Sequence, residues 1–442
     1  MTSSWEVIDT GRGIRAEWDQ LRRVAVHRPG MEMFFGLLEP YASLYERAFS
    51  QNGATREHER LEHVLRHEFH IKVLRLRETL VEAAEANPEI RERLVNAAYE
   101  VIGVAGNKPD VKLARLELEK NKDILDPGHF LDILLLNPEI ELESGKGTRV
   151  INLSITERQP LSNLYFMRDQ QAVTDKGVFL SRMSKPQRRR EPSITKLLWD
   201  VLGENVVHQV DGSGTFEGGD FIPMKDFALV GVGDRTNESG IQQLLSHGVG
   251  FDEVGVVHQP NHPLIPSDEA DPMVDMHLDT YFNVASSGVA VGLKPLLEGA
   301  QVDIYHKTAP GEYEKEKEST NLLAFVRNWG FDVVGITTLE QLSYASNFLT
   351  IKDGTILAVE VERDIKDVLM NLAQKAKQEP ERYGALFEQA KHDYEHLKDT
   401  SDFFPHKRDV YMHGIDAYPM ILRNLTGGYG AAHCMTAALE RV

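Results

Sequence analysis

The stretch Arg168–Met183, RDQQAVTDKGVFLSRM, decides the fold. A charged lead-in gives way to an apolar run, Asp175-Lys176-Gly177 makes a tight turn, and a second apolar run follows. Glycine-containing turns between apolar runs are hairpin signals. Outward along the chain the pattern recurs. EGGDFIPMKDFALVGVG (217–233) turns near Lys225-Asp226, HLDTYFNVASSGVAVG (277–292) at Ser286-Ser287-Gly288, and NFLTIKDGTILAVE (347–360) at Asp353-Gly354. Helical segments lie between. In SITKLLWDVLG (193–203), Ile194, Leu197, Leu198, Val201 and Leu202 share one side. A hairpin-plus-helix unit repeated along a chain predicts an α/β fold in a closed, pseudo-symmetric arrangement.

Toward the N-terminus, LRRVAVHRPG (21–30) reads as a strand closed by Pro29 and Gly30. TREHERLEHVLRHEFHIKVLRL (55–76) reads as a helix with Leu61, Val64 and Leu65 on one face, then a short strand whose alternation slips between Val73 and Leu74. From about residue 79 the character changes. EIRERLVNAAYEVIG (89–103), DVKLARLELEKN (110–121) and DPGHFLDILLLNP (126–138) all carry helical spacing, with Pro or Gly between them. A helical insertion over 79–147 is therefore predicted, set into a catalytic α/β body made of 1–78 and 148–442.

Composition narrows the function. The chain has 442 residues, 41% hydrophobic and 26% charged, and a net charge of −19. Such acidity argues against a general nucleic-acid binder, which needs a basic face. The basic run QRRRE (187–191) stands alone, and KEKE (315–318) reads as a solvated face. A single cysteine forms no internal disulfide and no multi-cysteine zinc site, so a cytoplasmic location is expected. The opening MTSSWEVIDTGRG lacks the basic and apolar regions of a signal peptide. No apolar stretch is long enough to span a bilayer.

The residues able to do chemistry recur at one place in successive units. Asp169 begins the first hairpin, Glu217 and Asp220 the second, His277 and Asp279 the third. A radial arrangement would bring them together. The lone cysteine, Cys434, lies in GGYGAAHCMTAALE (427–440). Lone cysteines are most often small buried hydrophobes. The alternative is a nucleophile: the small residues before it let backbone approach a ligand, and CMTAALE predicts a helix whose N-terminus would lower the thiol pKa. A thiolate needs a proton-transfer partner. His277 fits, with Asp279 on the same face of an extended segment. This His-x-Asp pair also suits a metal half-site, but no second pair stands in a comparable hairpin, and no metal is predicted. Taken singly, Asp169 and Glu217 read as salt-bridge or turn-capping residues. Gly218-Gly219 predicts tight backbone packing beside Glu217. DGSGTFEGGD (211–220) lacks the Lys-Ser/Thr of a phosphate loop. Several carboxylates around one Cys and one His suit a planar cation, because paired carboxylates hold a guanidinium and align its central carbon.

With these motifs assembled, the chain resembles the arginine deiminases of the guanidine-modifying superfamily over most of its length. The resemblance rests on LRRVAVHRPG, NLYFMRD, KPQRRRE, FEGGDFIP, GVGDRT, HLDTYFN and GGYGAAHCM, in order, and on the helical segment at about 79–147. It implies a five-bladed pseudo-symmetric ββαβ propeller with the site on its axis. It implies Cys434 as nucleophile, His277 as general acid and base, and Asp169 and Asp279 as guanidinium ligands. Glu217 would bind the guanidinium or orient His277. Asn163, Arg188 and Arg235 would hold the α-carboxylate and backbone of the substrate, with Asp220 and Tyr429 completing the binding set. The implied reaction turns L-arginine into L-citrulline and ammonia with no metal or organic cofactor. The partner would be this small molecule, not nucleic acid or membrane, and a homo-oligomer is compatible with the sequence. One departure stands out: the family usually carries an arginine in the loop before the cysteine, and Tyr429 takes its place, with alanines for two glycines. Three alternatives stay open: a dihydrolase giving ornithine, carbon dioxide and ammonia, a deiminase for another guanidino compound, and a protein that only binds.

Overall fold

A computed structural model describes residues 13–144, 151–266, 271, 274 and 276–442. The opening stretch read above for a signal peptide lies almost wholly outside them, as does the expected boundary at 147–148.

The hairpins form where turn chemistry and alternation place them. Thr174 pairs with Gly177, so Asp175 and Lys176 make a two-residue loop between Gln171–Thr174 and Gly177–Leu180. In the later hairpins Lys225 (φ 70°) and Gly354 (φ 73°) take the left-handed conformation that tight turns demand. Each hairpin's second strand then pairs in parallel with a third, after a helical excursion. Gly177–Leu180 pairs with Val206–Gln209 across the helix Glu191–Leu202, which starts with Pro192 in its first turn and ends at left-handed Gly203. Phe227–Val232 pairs with Glu253–His258, Val289–Gly292 with Asp332–Gly335, and Thr355–Val359 with Asp416–Met420. The two ends of the chain build a fifth sheet of the same pattern. Leu21–Val26 runs antiparallel to Ala437–Arg441 and parallel to Lys72–Arg75. The result is a mixed α/β fold of separate sheets. Among the described residues no sheet closes on itself.

Two local expectations are corrected. CMTAALE does not start a helix: Ala437–Arg441 is a strand, and its pairing with Leu21–Val26 outweighs the helical preference of its alanines. The segment expected to be helical holds most of Leu76–Ala86 and the helices Pro88–Val101, Lys108–Asn121 and Pro127–Leu136, but also the strands Gly103–Ala105 and Pro138–Ser144, which form one sheet with Ile151–Glu157 beyond it. In PEIELES (138–144) Ile140 and Leu142 alternate with glutamates, a period-two signal that was there to be read. Leu80, Leu94, Phe130 and Leu134 from these helices share one buried cluster with Leu161, Leu164, Ile194, Leu198 and Trp199. Among the described residues no helix is long and apolar enough to cross a membrane.

Candidate active site

The segments entering the first strands of the hairpins carry the polar residues inward. Asp169 precedes Gln171–Thr174, Glu217 and Asp220 precede or adjoin Phe221–Pro223, His277 and Asp279 precede Phe282–Ser286, and Cys434 precedes Ala437–Arg441. The backbone there is packed too tightly for side chains. A Cβ on Gly218 would overlap the carbonyl oxygens of Arg168 and Gln171, and one on Gly219 would lie 2.7 Å from His277 Nδ1. The expectation of close packing beside Glu217 thus has its cause. Leu278–Thr280 is a single 3₁₀ turn, not extended chain, so His277 and Asp279 do not share a strand face. They face different partners.

Two buried networks result. In the first, His277 Nε2 and Glu217 Oε2 are 2.9 Å apart, Glu217 Oε1 accepts the Ser184 N–H at 3.0 Å, and Arg235 Nη1 lies 3.5 Å from Glu217. Arg188 donates to Asp169 Oδ2 at 2.7 Å and to Glu191 at 2.8–3.1 Å. Burial raises the Glu217 pKa, but Arg235, His277 and Arg188 outweigh it and hold that carboxyl far below the usual range. Burial likewise opposes the charge on His277, yet Asp169, Glu217 and Asp220 lift it to about 9. His277 is therefore an imidazolium at neutral pH. Its Nδ1 and Asp169 Oδ1 have no hydrogen-bond partner. They sit 3.9 Å apart.

In the second network the Cys434 thiol lies 3.4 Å from Asp279 Oδ2, which accepts from His433 Nδ1 at 2.7 Å. His433 Nε2 lies 3.5 Å from Glu17, itself bound by Arg168 and Arg441, each at 2.9 Å. Despite burial, His433 keeps Asp279 ionised. Burial, and then Asp279 and Asp169, push the thiol well above its ordinary value. With no helix behind it, the expected dipole assistance is missing.

A small cavity lies between the networks. Its wall includes Asn163, Asp169, Arg188, Arg235, His277, Tyr429 and Cys434, with Leu44, Phe166, Met276 and Gly428 filling in. Its volume is about 10 Å³, room for roughly one water. Glu217, Asp220 and Asp279 stand behind this wall. Asp220 accepts from Thr236 at 2.6 Å and from the Leu278 N–H at 3.0 Å, and burial pushes it up to about 6. Asn163 donates to the Ser43 carbonyl at 2.7 Å. Tyr429 holds a left-handed backbone (φ 74°). Ligand atoms of Asp169, Glu217 and His277 lie within 4.8 Å of one another, close enough for a metal, but Arg188 and Arg235 already neutralise both carboxylates. The run QRRRE is not an exposed patch: Arg188 turns inward, and Arg190 donates to the Leu134 and Gln159 carbonyls.

Sequence reasoning missed Asn347, which introduces the fourth hairpin as Asp169 introduces the first and whose side chain contacts Cys434. The positional rule that found the acids extends to it, but an amide drew no attention. It also missed His433, the residue beside the cysteine.

A buried cysteine and a histidine share one cavity with Asp169, whose carboxylate pairs with the Arg188 guanidinium. A sequence model of the arginine deiminase family matches residues 42–441. The chain belongs to that family. It is 27% identical to an arginine deiminase of Halobacterium salinarum, over 100% of this chain and 99% of the relative. Two solved structures share the fold. An amidinotransferase of saxitoxin biosynthesis from Microseira wollei superposes with a TM-score of 0.51 at 11% identity, covering 98% of each chain. The product-bound N-terminal domain of a cyanobacterial arginine dihydrolase gives 0.51 at 13% identity, covering 96% of this chain and 98% of that one.

Proposed function

We propose that this chain hydrolyses the guanidino group of L-arginine to L-citrulline and ammonia through a covalent intermediate on Cys434. One observation carries the reading: a guanidinium, that of Arg188, already sits on Asp169 at 2.7 Å inside the cavity that Cys434 lines. A substrate guanidinium takes its place, clamped by Asp169 and Asp279. Its positive charge lowers the cost of ionising the thiol between those carboxylates. The thiol releases its proton to solvent, the thiolate attacks the central carbon, the carbon–nitrogen bond breaks, and His277 gives its proton to the departing nitrogen as ammonia. Neutral His277 then takes a proton from water. The water oxygen attacks the thiouronium carbon, the carbon–sulfur bond breaks as the new hydroxyl passes its proton to the leaving sulfur, and citrulline leaves. The substrate supplies the positive charge, so the scheme uses no metal or organic cofactor.

Arg188, once displaced, and Arg235 and Asn163 receive the α-carboxylate and backbone of the substrate. Tyr429 contributes a phenol where the family usually has a guanidinium, so this carboxylate has one charged partner fewer. The five sheets of like pattern form the blades of a propeller around the site, and 79–147 is an insertion in it. A cavity of about 10 Å³ cannot admit arginine as it stands, so the glycine loop before Cys434 moves on binding.

Purified protein with L-arginine, read by mass spectrometry, tests the reading. Citrulline with one equivalent of ammonia is expected, and none from Cys434→Ala. Ornithine with two equivalents replaces the deiminase by a dihydrolase, and full turnover by Cys434→Ala refutes the scheme.

A further inference from the structure

Building on the arginine reading, we propose that Asn347 is a catalytic residue of this site, its side-chain amide stabilising the Cys434 thiolate as it forms and fixing the sulfur against its own loop. Asn347 Nδ2 lies 3.1 Å from Sγ. Among the described residues it is the one hydrogen-bond donor to that sulfur. The nearest carboxylates oppose its ionisation, and the cations lining the same cavity, His277, Arg188 and Arg235, donate no hydrogen bond to it among the described residues. Asp279 and Asp169 repel a thiolate, Tyr165 stands near as a neutral phenol, and His277 and Arg188 are engaged with Glu217, Asp169 and Glu191.

The orientation of the amide is fixed by its other partners. Oδ1 accepts two backbone N–H groups, from Ala431 at 2.8 Å and Cys434 at 3.2 Å. Neither could be met by an NH₂ group, so the NH₂ end must face the sulfur. Its second hydrogen goes to the Asp279 carbonyl at 3.2 Å. All four hydrogen-bonding positions of the amide are thus used. The Asn347 carbonyl also takes the His433 N–H at 3.1 Å. One side chain therefore ties the lead-in of the fourth hairpin to the nucleophile loop and presents an N–H to the reacting atom. Such a bond favours the charged form of the sulfur, and its geometry exists before substrate arrives.

The test separates the donor from the clamp. Asn347→Asp keeps acceptor oxygens for the two backbone N–H groups but presents a carboxylate in place of the N–H, so neutral Asn347→Leu, which removes the donor without adding charge, must show the same direction of shift. Cys434 alkylation by iodoacetamide, followed by intact mass against pH without substrate, reads the thiol directly. The expected result is an alkylation midpoint moved to higher pH by a unit or more, about tenfold slower labelling at a fixed pH below it. With arginine, kcat falls while KM changes little. An unmoved midpoint in folded Asn347→Asp, with the circular dichroism of the parent, overturns the proposal. Should that variant not fold, the wild type decides. The side-chain amide resonances of Asn347 must shift with the ultraviolet thiolate absorbance, and amide signals flat across that titration overturn the proposal. Product analysis remains independent: a moved midpoint without citrulline from the wild type removes the arginine reading and leaves the thiolate role of Asn347, and citrulline with an unmoved midpoint does the reverse.

Discussion

Cys434 and His277 line one cavity and share a carboxylate neighbour, Asp169. Burial, and then carboxylates, raise the thiol and keep it neutral, while carboxylates raise the imidazole against its burial and keep it charged. The resting pair is thiol and imidazolium, the protonation state in which the histidine can act first as an acid. His277 is protonated below its pKa of about 9 and loses the proton as pH rises through that value. Glu217→Gln removes one of the charges that lift it, so the alkaline limb of the kcat profile should move toward the unperturbed histidine value of about 6.5. A kcat–pH profile of the variant with an unmoved alkaline limb would mean that His277 does not set it. The acids were legible in the sequence as residues at repeated positions. Arg188 and Arg235 entered only through the resemblance, as residues for the substrate carboxylate, and only the packing turns the Arg188 guanidinium onto Asp169.

At the scale of elements, each lead-in to a hairpin needs backbone close enough to crowd the site. The Gly218–Asp220 turn does this for Glu217 and His277. Gly219→Ala places a Cβ 2.7 Å from His277 Nδ1 and 3.1 Å from Asp169 Oδ1, so the ring and carboxylate must shift. A displacement approaching 1 Å costs on the order of 10²-fold in rate. Steady-state kinetics should show the loss in kcat, with the melting temperature changed far less. Wild-type kcat in this variant would show that the turn has room to relax. The glycine pair was readable as a packing signal. The strand after Cys434 was not read, because Ala437 and Ala438 favour a helix in isolation and only Leu21–Val26, far away in sequence, supplies the pairing.

For the whole molecule, the helices between Leu76 and Leu136 are not an appendage. Leu80, Leu94, Phe130 and Leu134 bury the same surface as Ile194, Leu198 and Trp199 of the first hairpin unit. Each fully buried large side chain contributes about 1.5–3 kcal/mol. Replacing 79–147 by a short linker should therefore leave an insoluble or low-melting chain, seen in the soluble fraction and in thermal unfolding. A soluble product melting like the parent would show that this shared core is dispensable.

Local chemistry in the chain determined the hairpins, the helices between them and the identity of the groups that can react, because turn residues and apolar spacing act over a few positions. The tertiary structure alone decided which groups meet. It joined the two chain ends in one sheet, set Asp279 and Asn347 against Cys434, and docked Arg188 on Asp169. Those contacts join residues far apart in sequence, and at close range the carboxylates hold the proton on His277 against the cost of burying its charge.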